Sequence, residues 1–453
     1  MAANIASLNA ILKEFYLAPI QEQLNQEVLV LELMEKAVVD WAGRRVVIPL
    51  HTARNSGVGF RADGAALPVA GQEGYSRAEV EAKFLYGRFE ITGPAISSLA
   101  KGGTASFAGY VQAEMDKLVE DVRNQSNRAA FCGGPVVGVL NQRKVEAAPA
   151  TWEFTGDVLK VSNLLAAAVA AGAVELTSNI HTSFPAEFGG ATGGYETIAT
   201  DVRIQVVDVP NSNLTLSALD TTKTVSAITI PQGFGAVVVV TGAKDAKGAP
   251  VVVPAITALA DEPTGIYGNL GSQIHFSVAR QFVAPATDNT PILRSTIVTQ
   301  NDAGKQDRAA LSLARIQSVF DRVMQVSGVE PNYIIMNPTQ RQRYTALLQG
   351  TVAGTMFSQA GQASKIADGG FVGLSYGNVP IKVSKDAPRG GLHFLKLDTW
   401  KLCELEKGDF ADLDGAVISR VPNLDSYEGY YRFYYNTISV RPNANALLVG
   451  CLL

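Results

Sequence analysis

Between Thr104 and Phe131 (TASFAGYVQAEMDKLVEDVRNQSNRAAF) the apolar residues Phe107, Tyr110, Val111, Met115, Leu118, Val119, Val122 and Ala129 recur three and four positions apart. Glu114, Asp116, Lys117, Glu120 and Asp121 fill the intervening positions. This period predicts one helix with a buried stripe and a solvated face. Thr104, a capping residue type, follows Gly102 and Gly103; Arg123 and Arg128 stand where a helix dipole favours cations, and Gly133, Gly134 and Pro135 end the run. At about 1.5 Å per residue the helix would be about 40 Å long, more than the core of an ordinary domain requires.

Before this helix the pattern changes twice. Residues 1–40 carry Ile5, Leu8, Ile11, Leu12 and Phe15, then Leu24, Val28, Leu31 and Met34, with Pro19 between the groups. Two short helical pieces joined at the proline are expected, neither stable unless it lies on a surface. From Trp41 to Ser97 the alternation is strand-like: RRVVIPL, a glycine-rich, charge-mixed tip NSGVGFRADGAALPVAGQEGYSRAEV, and a return limb EAKFLYGRFEITGP with Phe84, Tyr86 and Phe89. The expected shape is a long hairpin whose tip has too few clustered apolar residues to close a core, and a two-stranded ribbon alone is marginal.

After the helix, charges thin out and Ala, Thr, Val and Gly dominate. DVRIQVVDVPNSNLTLSAL, TVSAITIP and FGAVVVVTGA predict strands of an inserted all-β domain at about 145–255, with DVLKVSNLLAAAVAAGAVEL a candidate helix inside it. KQDRAALSLARIQSVFDRVMQVS places Leu313, Ile316, Phe320 and Val323 on one helical face and stops at Gly328. PNYIIMNP reads as a buried strand, and Asn337-Pro338 opens a second helix. VPIKVSKDAP, LHFLKLDTWKLCEL and SYEGYYRFYYNTISVRPNANALLVGCLL read as closing strands, with a turn near Pro442-Asn443.

The 453 residues are 47% hydrophobic and only 18% charged, with 38 basic against 42 acidic side chains and a net charge of -4. That composition supports several packed cores and gives no basic surface for gripping nucleic acid. Cys132, Cys403 and Cys451 are odd in number and far apart, so they read as reduced packing residues. The N-terminus lacks a secretory signal pattern, and no run is long and apolar enough for a membrane span. His51, His181, His275 and His393 are isolated; Asp409, Asp412, Asp414 and Gly415 lack the ligand alternation and closing Glu of a calcium loop. GFGAVVVVTGAKDAKGAP has valines where a dinucleotide fold needs a helix, and so reads as a hairpin. No nucleophile motif, phosphate loop or zinc-protease motif is present, and no catalytic residue, cofactor or metal ligand is assigned.

An arm that needs a surface, a hairpin too long for its own domain and a helix longer than its own core imply neighbours that bury them. In that order of elements the chain resembles the major capsid proteins of tailed bacteriophages, the Hong Kong 97-type α+β fold also used by encapsulin shells. The resemblance implies an N-terminal arm (1–40), an extended loop (41–97), a peripheral domain with the spine helix (98–144), the insertion (145–255), an axial domain (256–384) and peripheral return strands (385–453). PNYIIMNPTQRQRY resembles the axial strand and helix, and YYNTISVRPNANALLVG the last peripheral strands.

The implied function is a non-enzymatic coat subunit that forms pentamers and hexamers of an icosahedral head around double-stranded DNA, assembled in the host cytoplasm, without sequence-specific DNA binding or a membrane. The implied partners are identical subunits, a portal protein, and separate scaffolding and decoration proteins; Met1 without a helical prefix is expected to mean that any scaffold is its own chain. Subunit contacts are expected from Phe15, Leu24 and Leu31 in the arm and from Arg61, Asp63, Glu73, Arg77 and Glu79 in the loop. Some relatives join Lys to Asn with the help of a Glu in an apolar pocket; Lys83 is the candidate here, against the ordinary solvated state of a loop lysine. An encapsulin-like compartment stays open as an alternative, as do a tail or baseplate component and a β-rich carbohydrate-binding protein, although Trp41, Trp152 and Trp400 are too dispersed for a sugar platform.

Overall fold

The computed structural model describes residues 30–36, 45–63, 65–94, 104–145, 150–183, 195–217, 236–267, 282–283, 295–299, 309–355, 374–412 and 418–453. Helix α1 (Val30–Leu33) leads into β1 (Glu35–Lys36), the hairpin strands β2 (Arg45–Ala53) and β3 (Gly74–Glu81), β4 (Lys83–Thr92) and the long helix α2 (Thr104–Cys132). There follow β5 (Val136–Val145), β6 (Ala150–Gly156), α3 (Val158–Ala170), β7 (Glu175–Ser183), β8 (Tyr195–Asp208), β9 (Asn213–Ser217), β10 (Ala236–Lys244), β11 (Pro250–Val251) and α4 (Pro254–Thr257). The remainder comprises β12 (Phe282–Val283), β13 (Thr296–Thr299), α5 (Leu313–Ser327), β14 (Tyr333–Met336), α6 (Pro338–Thr355) and β15 (Ser375–Tyr376). It closes with β16 (Val379–Val383), β17 (Leu392–Leu395), β18 (Trp400–Phe410), β19 (Ser419–Arg420), β20 (Ser426–Ser439) and β21 (Ala446–Val449).

The long helix forms where its periodicity places it and ends one residue later than expected. Val122, Ala129 and Ala130 are buried, and Met115 and Leu118 pack on Phe89 and Ile91 of β4. Gly87 lets helix and strand approach closely, because a Cβ there would lie 2.9 Å from both Leu118 and Val122. The strand alternates accordingly: Gly87, Phe89 and Ile91 face the helix, while Phe84, Tyr86, Arg88 and Glu90 face outward.

The hairpin departs from its sequence-based outline. Its return limb is β3, which pairs with β2 from Arg45 opposite Glu81 to Ala53 opposite Gly74. The segment with Phe84, Tyr86 and Phe89 is instead β4, antiparallel to β20 and in a sheet with β18, β19 and β1. Both segments alternate, so local pattern fits either; burial against α2 selects β4 for the sheet.

Strands β5 to β10 form a sheet that closes on itself. Residues Ala236–Val239 of β10 pair with β5 on one side and, through the same residues, with β7 on the other. The cycle β10, β5, β6, β9, β8, β7 is therefore a six-stranded antiparallel barrel, with β11 continuing from β10 as the hairpin expected there. Closure removes the free edges that an open sheet would expose. Trp152, Phe154, Leu176, Ile180, Ile204 and Leu216 belong to its core, and Val161 and Leu164 of α3 pack into the same cluster. The anticipated helix is thus present, and the region is mixed rather than all-β; the expected boundary at 145 falls on the last residue of the first barrel strand. The expected strand TVSAITIP lies outside the described residues.

A third unit packs α5 against the sheet of β13, β21, β17, β14, β16 and β15. Helix α5 begins at Leu313, not near Lys305, because the Ser312 hydroxyl accepts from Arg315 N (3.3 Å) and caps it. Gly328, at φ 72°, ends it in the left-handed conformation that glycine adopts without strain.

Candidate assembly surface

The hairpin projects apolar side chains that no part of the described chain covers. Gly57 lies against Val69 and Gly71, so the two limbs stay together beyond the paired strands, and Ala65 N donates to Ala62 O (3.1 Å) at the end of the loop. Beyond that closure, Val58, Leu67 and Val69 are exposed, and Phe60 is fully exposed at 104%. Apolar side chains grouped on one projecting element mark an interaction surface more strongly than single exposed residues do.

The residues predicted for subunit contact fall in several places. Arg61 and Asp63 flank the tip and are exposed. Glu73 sits at the hairpin neck, where its Oε2 lies 2.6 Å from His51 Nε2, and the His51 ring is tilted over Tyr75 with centroids 5.4 Å apart. Arg77 and Glu79 stand within β3, opposite Pro49 and Val47, and not in the tip. Leu31 is buried in its own chain, in a cluster with Val30, Phe131 and Trp400, and α1 is tethered to the long helix by Val30 N donating to Asn127 Oδ1 (3.3 Å). Phe15 and Leu24 lie outside the described residues.

Lys83 is corrected from loop residue to sheet residue. It is the first residue of β4, opposite Tyr435, and its Nζ donates to Ala260 O (2.6 Å), because β4 has left the hairpin to pair with β20. Beside it a cavity of about 160 Å³ opens between β4, the long helix, the segment after α4 and β20. Leu85, Ala129, Pro263 and Tyr435 line it, and Phe84 stands at its edge. Sequence reasoning missed this cavity because its walls come from four remote segments. It also gave weight to the charges at the tip over Phe60, although an aromatic residue in a stretch with no partner was the signal.

Behind the cavity lies a buried ion pair. Lys160 of α3 is 4% exposed and donates to Cys132 O (2.8 Å), Gly134 O (2.7 Å) and Glu262 Oε2 (2.5 Å). Glu262 Oε2 also accepts from Gly134 N (3.0 Å). The ammonium thus occupies the C-terminus of the long helix, where exposed carbonyls and the dipole favour a cation, and it ties that helix to the barrel. His393 is buried between cores: its Nδ1 lies 3.2 Å from Ile335 O, its Nε2 3.2 Å from the Tyr267 hydroxyl, and its ring packs on Phe131. Burial pushes its pKa down to about 4, against the smaller upward effect of the bond to Ile335.

Among the described residues no group of three His, Cys, Asp or Glu side chains lies together in a way that could hold a metal ion, and no helix is long and apolar enough to cross a membrane. The three cysteines are buried and form no disulfide; burial raises the Cys403 thiol to about 11 and, as the largest influence, also raises that of Cys132.

No protein-family model and no curated protein matches the sequence. Among solved structures the chain is similar to the cyanophage A-1(L) capsid asymmetric unit, at 12% identity and a TM-score of 0.52, with 99% of each chain covered. It also aligns with the capsid of the native GTA particle (9% identity, TM-score 0.48, 100% of each chain). A further match is the capsid of cyanophage P-SCSP1u (10% identity, TM-score 0.44, 98% of this chain and 94% of the other). The end-to-end likeness to the first is one of fold. The chain shares its fold with that cyanophage capsid chain.

Proposed function

We propose that this chain is a structural coat subunit that assembles, as pentamers and hexamers, into the icosahedral head of a tailed double-stranded DNA phage. In this reading the β2–β3 hairpin is the extended loop, α2 the spine helix, the α5-containing unit the axial domain, and the barrel an insertion. The observation that carries it is the projecting hairpin with Val58, Phe60, Leu67 and Val69 uncovered. Burying such side chains against a neighbour would contribute roughly 1.5–3 kcal/mol apiece before ordering costs, enough to drive repeated contacts of standard size. Charged contacts at Arg61 and Asp63 would set register, since exposed ion pairs contribute up to about 1 kcal/mol. The net charge of -4 suits enclosing DNA without gripping it. A portal and separate scaffolding and decoration proteins would complete the particle, formed in the host cytoplasm.

Sedimentation and negative-stain electron microscopy of the purified chain test this. Closed shells, or rings of five and six, are expected. A compact monomer that persists across protein concentration, salt and pH would overturn the proposal.

A further inference from the structure

We infer that the cavity beside Lys83 is the receptor for Phe60 of a second copy of this chain, with Arg61 of that copy paired to the acidic rim. The inference rests on the coat-subunit reading and specifies the residues that make its contact. Size supports it first: a cavity of about 160 Å³ matches the roughly 150 Å³ that accepts a benzene ring. Its walls, Leu85, Ala129, Pro263 and the ring of Tyr435, are mostly apolar, as a phenyl ring requires.

Charge supports it second. Phe60-Arg61-Ala62-Asp63 presents an aromatic ring followed at once by a cation and two residues later by an anion. The mouth of the cavity carries the exposed Asp261 and the partly exposed Glu262 beside Lys83. A ring seated in the cavity would bring Arg61 to the carboxylates and Asp63 toward the ammonium.

The occupant cannot be the chain's own hairpin. The cavity lies at the hairpin base, next to Glu81, whereas the tip lies beyond Gly74 at the far end of β3. Eight residues of strand at about 3.4 Å each separate base from tip by about 25 Å. The ring must come from another copy.

Cysteine pairing tests the contact. In the full chain, Phe60→Cys with Ala258→Cys should give, under mild oxidant, a ladder of linked subunits on non-reducing gels, while the buried native cysteines stay silent. Either single variant should give none. In parallel, Phe60→Ala should raise the critical assembly concentration at least about tenfold. Arg61→Glu should weaken assembly, and Asp261→Arg in the same chain should restore it. Thermal melting of the unassembled subunits checks that each variant folds, since the altered side chains are exposed. Wild-type shells with no ladder and no charge-reversal rescue would overturn this inference and leave the coat reading intact. Absence of any wild-type assembly would overturn the coat reading itself.

Discussion

Lys160 and Glu262 offer a direct test of how the barrel is held to the long helix. Lys160→Met keeps most of the side-chain volume and removes the ammonium from Cys132 O, Gly134 O and Glu262. Two carbonyls lose a charged donor, but the stranded carboxylate is 24% exposed and can rehydrate. The expected loss is about 2–3 kcal/mol. Glu262→Ala acts on the other side of the pair. It leaves an ammonium that is only 4% exposed without its counter-charge, and Gly134 N without its acceptor. That costs about 3–5 kcal/mol, because a buried charge left uncompensated is worse than a partly exposed one. The double variant removes both charges and should lie close to Lys160→Met alone, giving a coupling energy of about 2 kcal/mol or more. Urea unfolding of unassembled subunits, followed by tryptophan fluorescence, measures all three, with Trp152 reporting the barrel core and Trp400 the neighbouring one. Additivity within about 0.5 kcal/mol, or a milder effect for Glu262→Ala than for Lys160→Met, would refute the reasoning.

His393, with a folded pKa near 4 against the ordinary 6.5, must lose its neutral burial to take up a proton. The stability tied to it is therefore fully present above about pH 6.5 and lost as pH falls toward 4, at about 1.4 kcal/mol per unit; His181, lowered to about 4 by burial, adds the same slope. His393→Gln should reduce the pH dependence of unfolding between about pH 6 and 4.5 by close to one proton, and an unchanged slope would contradict the assignment. Gly133→Ala should cost about 3 kcal/mol or more, because its Cβ would meet Pro263 O at 2.0 Å and Ala129 O at 2.6 Å. Gly134→Ala, strained only by φ 70°, should cost about 1–2 kcal/mol, and melting temperatures in the opposite order would be evidence against this packing. Thiol reagents should modify Cys132, Cys403 and Cys451 only at the rate of unfolding, since all three are covered and burial raises the thiols of Cys132 and Cys403; fast native labelling would be inconsistent with it.

Local features of this chain were legible without coordinates. The three-and-four spacing from Thr104 to Phe131 sufficed for the long helix, Gly328 marked the end of α5, and the valine run at Ala236–Lys244 is a strand followed by a hairpin. Such elements depend on periodicity and caps within a dozen residues, which the sequence itself contains. Partner choice was another matter. Phe84 and Tyr86 alternate as well as any hairpin limb does, yet they belong beside Tyr434, whose hydroxyl lies 2.9 Å from that of Tyr86 across 348 residues of sequence. Barrel closure has the same character: nothing local in β10 shows that one strand satisfies both β5 and β7. The cavity beside Lys83 exists only once β4, the long helix, the segment after α4 and β20 have met. The sequence by itself determined which segments became helix or strand, because backbone propensity and side-chain period are short-range. Only the tertiary structure decided which strands pair and where a ring-sized cavity opens, because those depend on burial shared among residues far apart in the chain.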